Sequence, residues 1–359
     1  MPHFFPVLAA LITAVFAADP VPFLDTLPAA RVTTGGGELV FELPPTDLPA
    51  GLSHGEGMGE HHGHGERHGP GWPDVSLVTL PLTGAIHAFR VELVDSAGAP
   101  LPPVLLHHLN LIDPFHRELF LPISRRVIAA GKETGGHRLP WLLFGLPFKK
   151  GDQLVLNAML HNPTDTAYRG VRTRLIVEYS GNPRPWPFHQ AFPWQLDVSF
   201  PVGDKSFDLP PGRTTESYEA KPAVAGRIVG MGGHVHERAL RLTLTDVTAN
   251  KKMWEGIPIT DSAGNLIGMP VGRFYSWNRV GLPLDTSHLY RVTVEYDNTT
   301  GQVVSQGGMG VIGGIMVPLD ARRWPKADVR DSLYLTDLKH YLRLDPGTPT
   351  PSASQEHRH

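Results

Sequence analysis

The side chains with the type and spacing to hold a metal ion are histidines and one methionine. In GGHVHERALRL, residues 232–242, His234 and His236 stand one residue apart after two glycines, at the head of what reads as an alternating strand. Residues i and i+2 of a strand project from the same face, so both imidazoles can address one ion. Without that ion they are a pair of half-exposed strand histidines. In VLLHHLNLID, His107 and His108 are adjacent inside an apolar run. Neighbours on a regular strand point to opposite faces, so these two reach one ion only through a bulge, a strand end or different ring nitrogens. Burying two imidazoles without partners is costly, and the apolar flanks therefore argue for ligation. His161 ends the apolar run LVLNAMLH, where a lone histidine is ordinarily a satisfied core residue. Met309 lies between glycines in QGGMGVIGGIMVP, ordinarily a place for a core filler. Joined to two imidazoles, its thioether makes a soft donor set that suits copper, above all Cu(I), better than zinc or calcium.

Short strands must position these groups. SLVTLPL (76–82), HAFRVELVD (87–95), DQLVLNAML (152–160), VRTRLIVEY (171–179), QLDVSF (195–200), RALRLTLTD (238–246), YRVTVEYD (290–297) and GVIGGIMV (310–317) alternate or run apolar between Gly, Pro, Asp and Asn. In VRTRLIVEY, Val171, Thr173, Leu175, Val177 and Tyr179 share one face, as a half-buried strand requires. No long helical pattern appears, which predicts an all-β chain of two tandem antiparallel β-sandwiches of jelly-roll type. The Pro-rich GNPRPWPFHQAFP (181–193) reads as the link between them. The predicted division is a signal peptide (1–17), an N-terminal segment (18–74) with one strand at Glu38 to Leu43, a first sandwich (75–182), a second sandwich (183–320) and a tail (321–359) with a short helix near Asp331 to Tyr341. Within the N-terminal segment, HGEGMGEHHGHGERHGPG (54–71) carries His54, His61, His62, His64 and His68 among glycines and cannot pack a core. It reads as loose metal capture or as a spacer.

The 359 residues suffice for two domains, and 41% hydrophobic content is that of a globular chain. A net charge of −3 gives no basic field for nucleic acid or an anionic membrane surface, which leaves small molecules as the default partners. The apolar run Phe4 to Ala18 is too short to span a bilayer and ends in small residues. It reads as an export signal cleaved after Ala17 and implies a secreted or periplasmic protein. With no cysteine, neither disulfides nor thiolate ligands are available. GxSxG, Walker and HExxH motifs are absent, so hydrolase, phosphate-binding and zincin chemistry have no support in the sequence. Asp113, Glu118 and Glu237 lie near the histidines and read as solvated or supporting carboxylates. Trp186, Trp194, Tyr275 and Trp277 read as packing or as the lining of a cleft.

The order HH, His161, HxH, Met309 across two sandwiches resembles the copper type II, ascorbate-dependent monooxygenases, the family of peptidylglycine α-hydroxylating and dopamine β-monooxygenases. The resemblance covers about residues 75–320. It includes LPLTGAIHAFRVELVDSAGAPLPPVLLHHLNLI leading into HH, and LPWLLFGLPFKKGDQLVLNAMLHNP leading into His161. It implies two coppers per chain, an electron-transfer copper on His107, His108 and His161 and a catalytic copper on His234, His236 and Met309. O₂, a small substrate and an ascorbate-like reductant would be the partners. This chain departs from the family where peptide-amidating members hold an arginine (Gly232 here), an asparagine and a tyrosine (Val311 and Gly313), and a glutamine (Met159). A glycine-extended peptide is therefore excluded as the expected substrate. The alternatives are an exported copper-handling protein that keeps the ligands without oxygenating, and a structural or carbohydrate-binding double sandwich.

Overall fold

The computed structural model describes residues 20–51, 75–131, 136–181, 184–200, 205–262, 264–342 and 344. The apolar N-terminus, the His-rich 54–71 stretch and the end of the tail lie outside them. In chain order the first strands are β1 (Arg31–Gly35), β2 (Glu38–Glu42), β3 (Thr46–Leu48), β4 (Ser76–Thr79), β5 (Gly84–Val94), β6 (Leu106–Arg117), β7 (Ser124–Gly131), β8 (Gly136–Arg138), β9 (Phe144–Phe148), β10 (Gln153–Leu160), β11 (Tyr168–Ser180) and β12 (His189–Gln190). There follow β13 (Phe192–Asp197), β14 (Phe207–Leu209), β15 (Gly212–Ala220), β16 (Gly226–Val235), β17 (Ala239–Asp246), β18 (Lys251–Gly256), β19 (Ile259–Thr260), β20 (Leu266–Gly268), β21 (Gly272–Arg273), β22 (Tyr275–Ser276), β23 (Arg279–Val280), β24 (Leu282–Leu284), β25 (Tyr290–Asn298), β26 (Val304–Gly308), β27 (Gly310–Pro318) and helix α1 (Ser332–Tyr341).

The chain is all-β and folds as two antiparallel sandwiches. In the first, a sheet ordered β1-β2-β11-β5-β9-β12 faces one ordered β4-β10-β6-β7. Leu39, Phe41, Leu175 and Val177 of one sheet meet Leu109, Leu111, Leu156 and Ala158 of the other in a common core. In the second, β13-β27-β16-β21 faces β15-β25-β17-β18. Leu196, Met231, Val235, Ile312 and Met316 there pack against Leu242, Leu244, Val292, Val294 and Tyr296. Only the two-residue β12, on β9, pairs in parallel among the described ladders of these sheets.

The strands differ from the sequence expectation in instructive places. Where one N-terminal strand is predicted, three occur. β2 pairs with β11 and β1 with β2, so this segment completes the first sandwich despite the Thr and Gly that weaken its pattern. The prolyl stretch between the sandwiches is pinned, with Phe188 and His189 N–H donating to the carbonyls of Leu142 and Leu143. Helix α1 is capped by Asp331, whose carboxylate accepts from Leu333 and Tyr334 N–H. It docks on the first sandwich, where Tyr334 and Leu338 bury against Ile112 and Val155 and Asp337 pairs with buried Arg126. No described helix is long and apolar enough to cross a membrane.

Candidate metal centres

Both histidine pairs owe their presentation to a one-residue β-bulge. In β6, Leu106 and Leu109 both enter the core. The β10 ladder joins Met159 to His108 and Leu160 to Leu106, leaving His107 as the extra residue. That bulge puts adjacent histidines together outside the core, their ring centroids 4.1 Å apart and tilted by 44°. Directly opposite His108 in register stands Met159, on the same outer face because Ala158 and Leu160 are core residues. His161 lies past the end of β10, exposed, with its N–H on the Leu105 carbonyl. Among the described residues no three His, Asp or Glu side chains converge as a metal-binding group, so His161 is not gathered with His107 and His108.

The second pair is set by a bulge upstream of it. Ile228 faces the core, Val229 packs on the opposite side of the sheet, and Met231 and Val235 face the core again. The ladder shift between Ile228 and Gly230 is that bulge. Counting by two from Ile228 without it would send His234 and His236 inward; with it they face outward, away from the leucines. Their rings lie 5.6 Å apart at 88°, and His234 Nε2 is shielded from solvent.

The sequence reading placed HVH at the head of the strand running through Leu244. Instead it closes β16. Arg238 takes φ 72°, a left-handed turn conformation, and β17 starts afresh at Ala239. The two glycines have separate reasons. A Cβ on Gly233 would come 2.4 Å from Leu242 Cδ2, so packing forbids it, whereas one on Gly232 would meet nothing nearer than Val271 at 3.4 Å.

Met309 is brought to the pair by a residue the sequence did not single out. Tyr296, buried in the second core, projects from the opposite sheet so that its hydroxyl accepts the N–H of His236 (2.9 Å) and the N–H of Met309 (2.9 Å). The same hydroxyl donates to the Met309 carbonyl. Burial pushes the phenol up to about 12, so it remains a donor at neutral pH. One oxygen thus fastens the backbones of two proposed ligands side by side. Its alternating strand YRVTVEYD marks Tyr296 as a core residue, but nothing in one strand tells which backbone its hydroxyl meets.

The neighbouring carboxylates are structural. Glu118 is fully buried and accepts N–H from Leu119, Arg126 and Gln195, tying the two sandwiches at their joint. Buried Asp113 is paired with Arg125 and His116, so of the two roles expected for it and for Glu118, solvated or supporting, the solvated one falls away. Exposed Glu237 accepts from Leu266 N–H and anchors the β19–β20 hairpin beside His236. Trp194 is core, as expected of a packing residue. Trp186 and Trp277 are not, being 49% and 96% exposed, the latter at the turn between β22 and β23.

The donor chemistry fits copper best at the second set, where two imidazoles on one face and a thioether-bearing residue are held together without any carboxylate in the group. The first set offers paired imidazoles with Met159 across the ladder. A scan against family models finds no match, and no curated protein matches. Among solved structures the chain is similar to Sulfolobus turreted icosahedral virus (10% identity, 68% of this chain and 85% of that chain, TM-score 0.31). It is also similar to the Sputnik virophage (10% identity, 87% and 90%, TM-score 0.24). Neither likeness bears on what the histidines do.

Proposed function

We propose that the chain is an exported copper protein, secreted or periplasmic, that acts as a monooxygenase on a small molecule with O₂ and an external, ascorbate-like reductant. The single observation that carries the reading is the Tyr296 junction, which fastens His236 and Met309 together beside His234. His234, His236 and Met309 would hold the catalytic copper, and His107 and His108, with Met159 opposite, the electron-transfer copper. Copper supplies reversible one-electron chemistry and O₂ activation when bound there. The protein's own part is positional. Tyr296 fixes two ligand backbones, the Val229 bulge aims both imidazoles out of the core, and Glu237 holds an apolar hairpin against the site.

A second reading, copper handling without oxygenation, is favoured by one observation: among the described residues no third His, Asp or Glu forms a metal-binding group with His107 and His108. Reductant-dependent O₂ uptake by copper-loaded protein separates the two. The monooxygenase reading expects uptake that His236→Ala and Met309→Ala abolish; copper-loaded protein that consumes no O₂ with any reductant leaves the handling role.

A further inference from the structure

The face that carries His234 also carries a furrow with almost no side chains. In register across the sheet, Gly232 stands opposite Gly313, and the next row pairs His234 with Val311. A Cβ built on Gly313 would meet nothing nearer than 3.9 Å, and one on Gly230 nothing nearer than 3.5 Å. Neither Gly232 nor Gly313 has the positive φ that would demand glycine, so open space rather than backbone strain sets these positions apart. Half-exposed Val271 borders Gly232, and Ile315, opposite Gly230, closes the row beyond.

The third strand supplies a polar contact. Gln195 lies opposite Gly313, and because Trp194 and Leu196 face the core, its side chain is on the furrow side. It is 8% exposed, and its Nε2 has no hydrogen-bond partner among the described residues. A buried amide N–H left so is costly unless something accepts from it. Two charged groups share this face. Asp197, fully buried beside Gln195 and opposite Val311 in the His234 row, is met by Lys205, and Arg273, opposite Gly230, is exposed at the rim.

We infer that the furrow binds a small uncharged molecule with an apolar body and one oxygen acceptor. The oxygen takes the Gln195 Nε2–H, and the hydrocarbon lies over Gly232 and Gly313 between Val271 and Ile315, with His234 at its end. This names the substrate class of the site proposed above and rests on that reading for its chemistry, but binding is measurable without metal.

The test is titration of metal-free, full-length protein with N-benzylacetamide, followed by calorimetry or saturation-transfer NMR, beside its anionic counterpart 3-phenylpropanoate. Gly313→Val should fill the furrow and weaken N-benzylacetamide by about tenfold or more, and Gln195→Leu by several-fold, with melting temperature and copper uptake unchanged. Gly232→Ala provides a milder filling variant should Gly313→Val fold poorly. The inference is overturned if the wild type does not bind the amide at millimolar concentration or if both filling variants bind it as the wild type does. It is also overturned if 3-phenylpropanoate binds more tightly in a manner lost with Arg273→Gln. Failure of copper uptake in protein that still binds the amide would overturn the metal reading alone.

Discussion

The two histidine pairs are built with the same device placed differently, and the difference fixes what each can hold. In β6 the bulge falls within the pair, so neighbours that would diverge are turned to one side. In β16 it falls at Val229, well before the pair, and shifts the phase of everything after it, so that an ordinary i, i+2 spacing emerges on the outer face. The second pair then gains a third partner through Tyr296, which reaches across the sandwich to hold Met309 beside His236. The first pair has Met159 across the ladder and leaves His161 outside. A bulge therefore suffices to present two imidazoles, while bringing the proposed third ligand beside them takes a contact from the facing sheet.

Breaking the comparison at its root should have the largest effect. Deleting Val229 removes the phase shift and drives His234 and His236 toward the core, at a cost of roughly 2–7 kcal/mol for each polar group buried unpaired. The expected outcome is complete loss of second-site copper and a large fall in melting temperature, while retention of full copper would contradict the bulge argument. Tyr296→Phe comes next. It strands the N–H groups of His236 and Met309, costing about 1–3 kcal/mol of stability, and should weaken Cu(I) at the second set by about tenfold with the first set unchanged. Equal weakening of both sets would show a general loss of fold. Smaller still is Met159→Leu, nearly isosteric, which should lower Cu(I) affinity several-fold at the first pair alone, visible as loss of a sulfur scatterer in X-ray absorption. The smallest expected change is with His161→Ala, which should leave copper stoichiometry as it was. Loss of one copper there would restore the three-histidine set implied by the family resemblance and erase the difference between the two regions.

Much of this was legible in the sequence. The alternation of Val171 to Tyr179 and of Tyr290 to Asp297 reads directly as half-buried strands, and two adjacent histidines in an apolar run already call for a bulge, a strand end or different ring nitrogens if they are to share one ion. Three features could not be read. The Val229 bulge leaves no local mark, because Ile228 and Val229 look like any apolar pair until their opposite burial is seen. The turn at Arg238 shows in the sequence only as an arginine that interrupts the apolar phase of Leu240, Leu242 and Leu244. Tyr296 and Gln195 act through contacts across or along a sheet, and single-chain periodicity assigns a residue to a face without naming what it meets there. The departures at Gly232, Val311 and Gly313 were legible as losses of polar recognition, but only the register shows that two of them form one floor.

The most direct measurement is the copper content of the chain with residues 54–71 deleted, dialysed against a weak chelator, alongside His236→Ala and Met309→Ala in the same background. The account predicts two coppers per chain, falling to about one in His236→Ala, with Met309→Ala weakening chiefly Cu(I) at the second set. No retained copper once the His-rich stretch is gone would contradict it, and the paired histidines would then be structural.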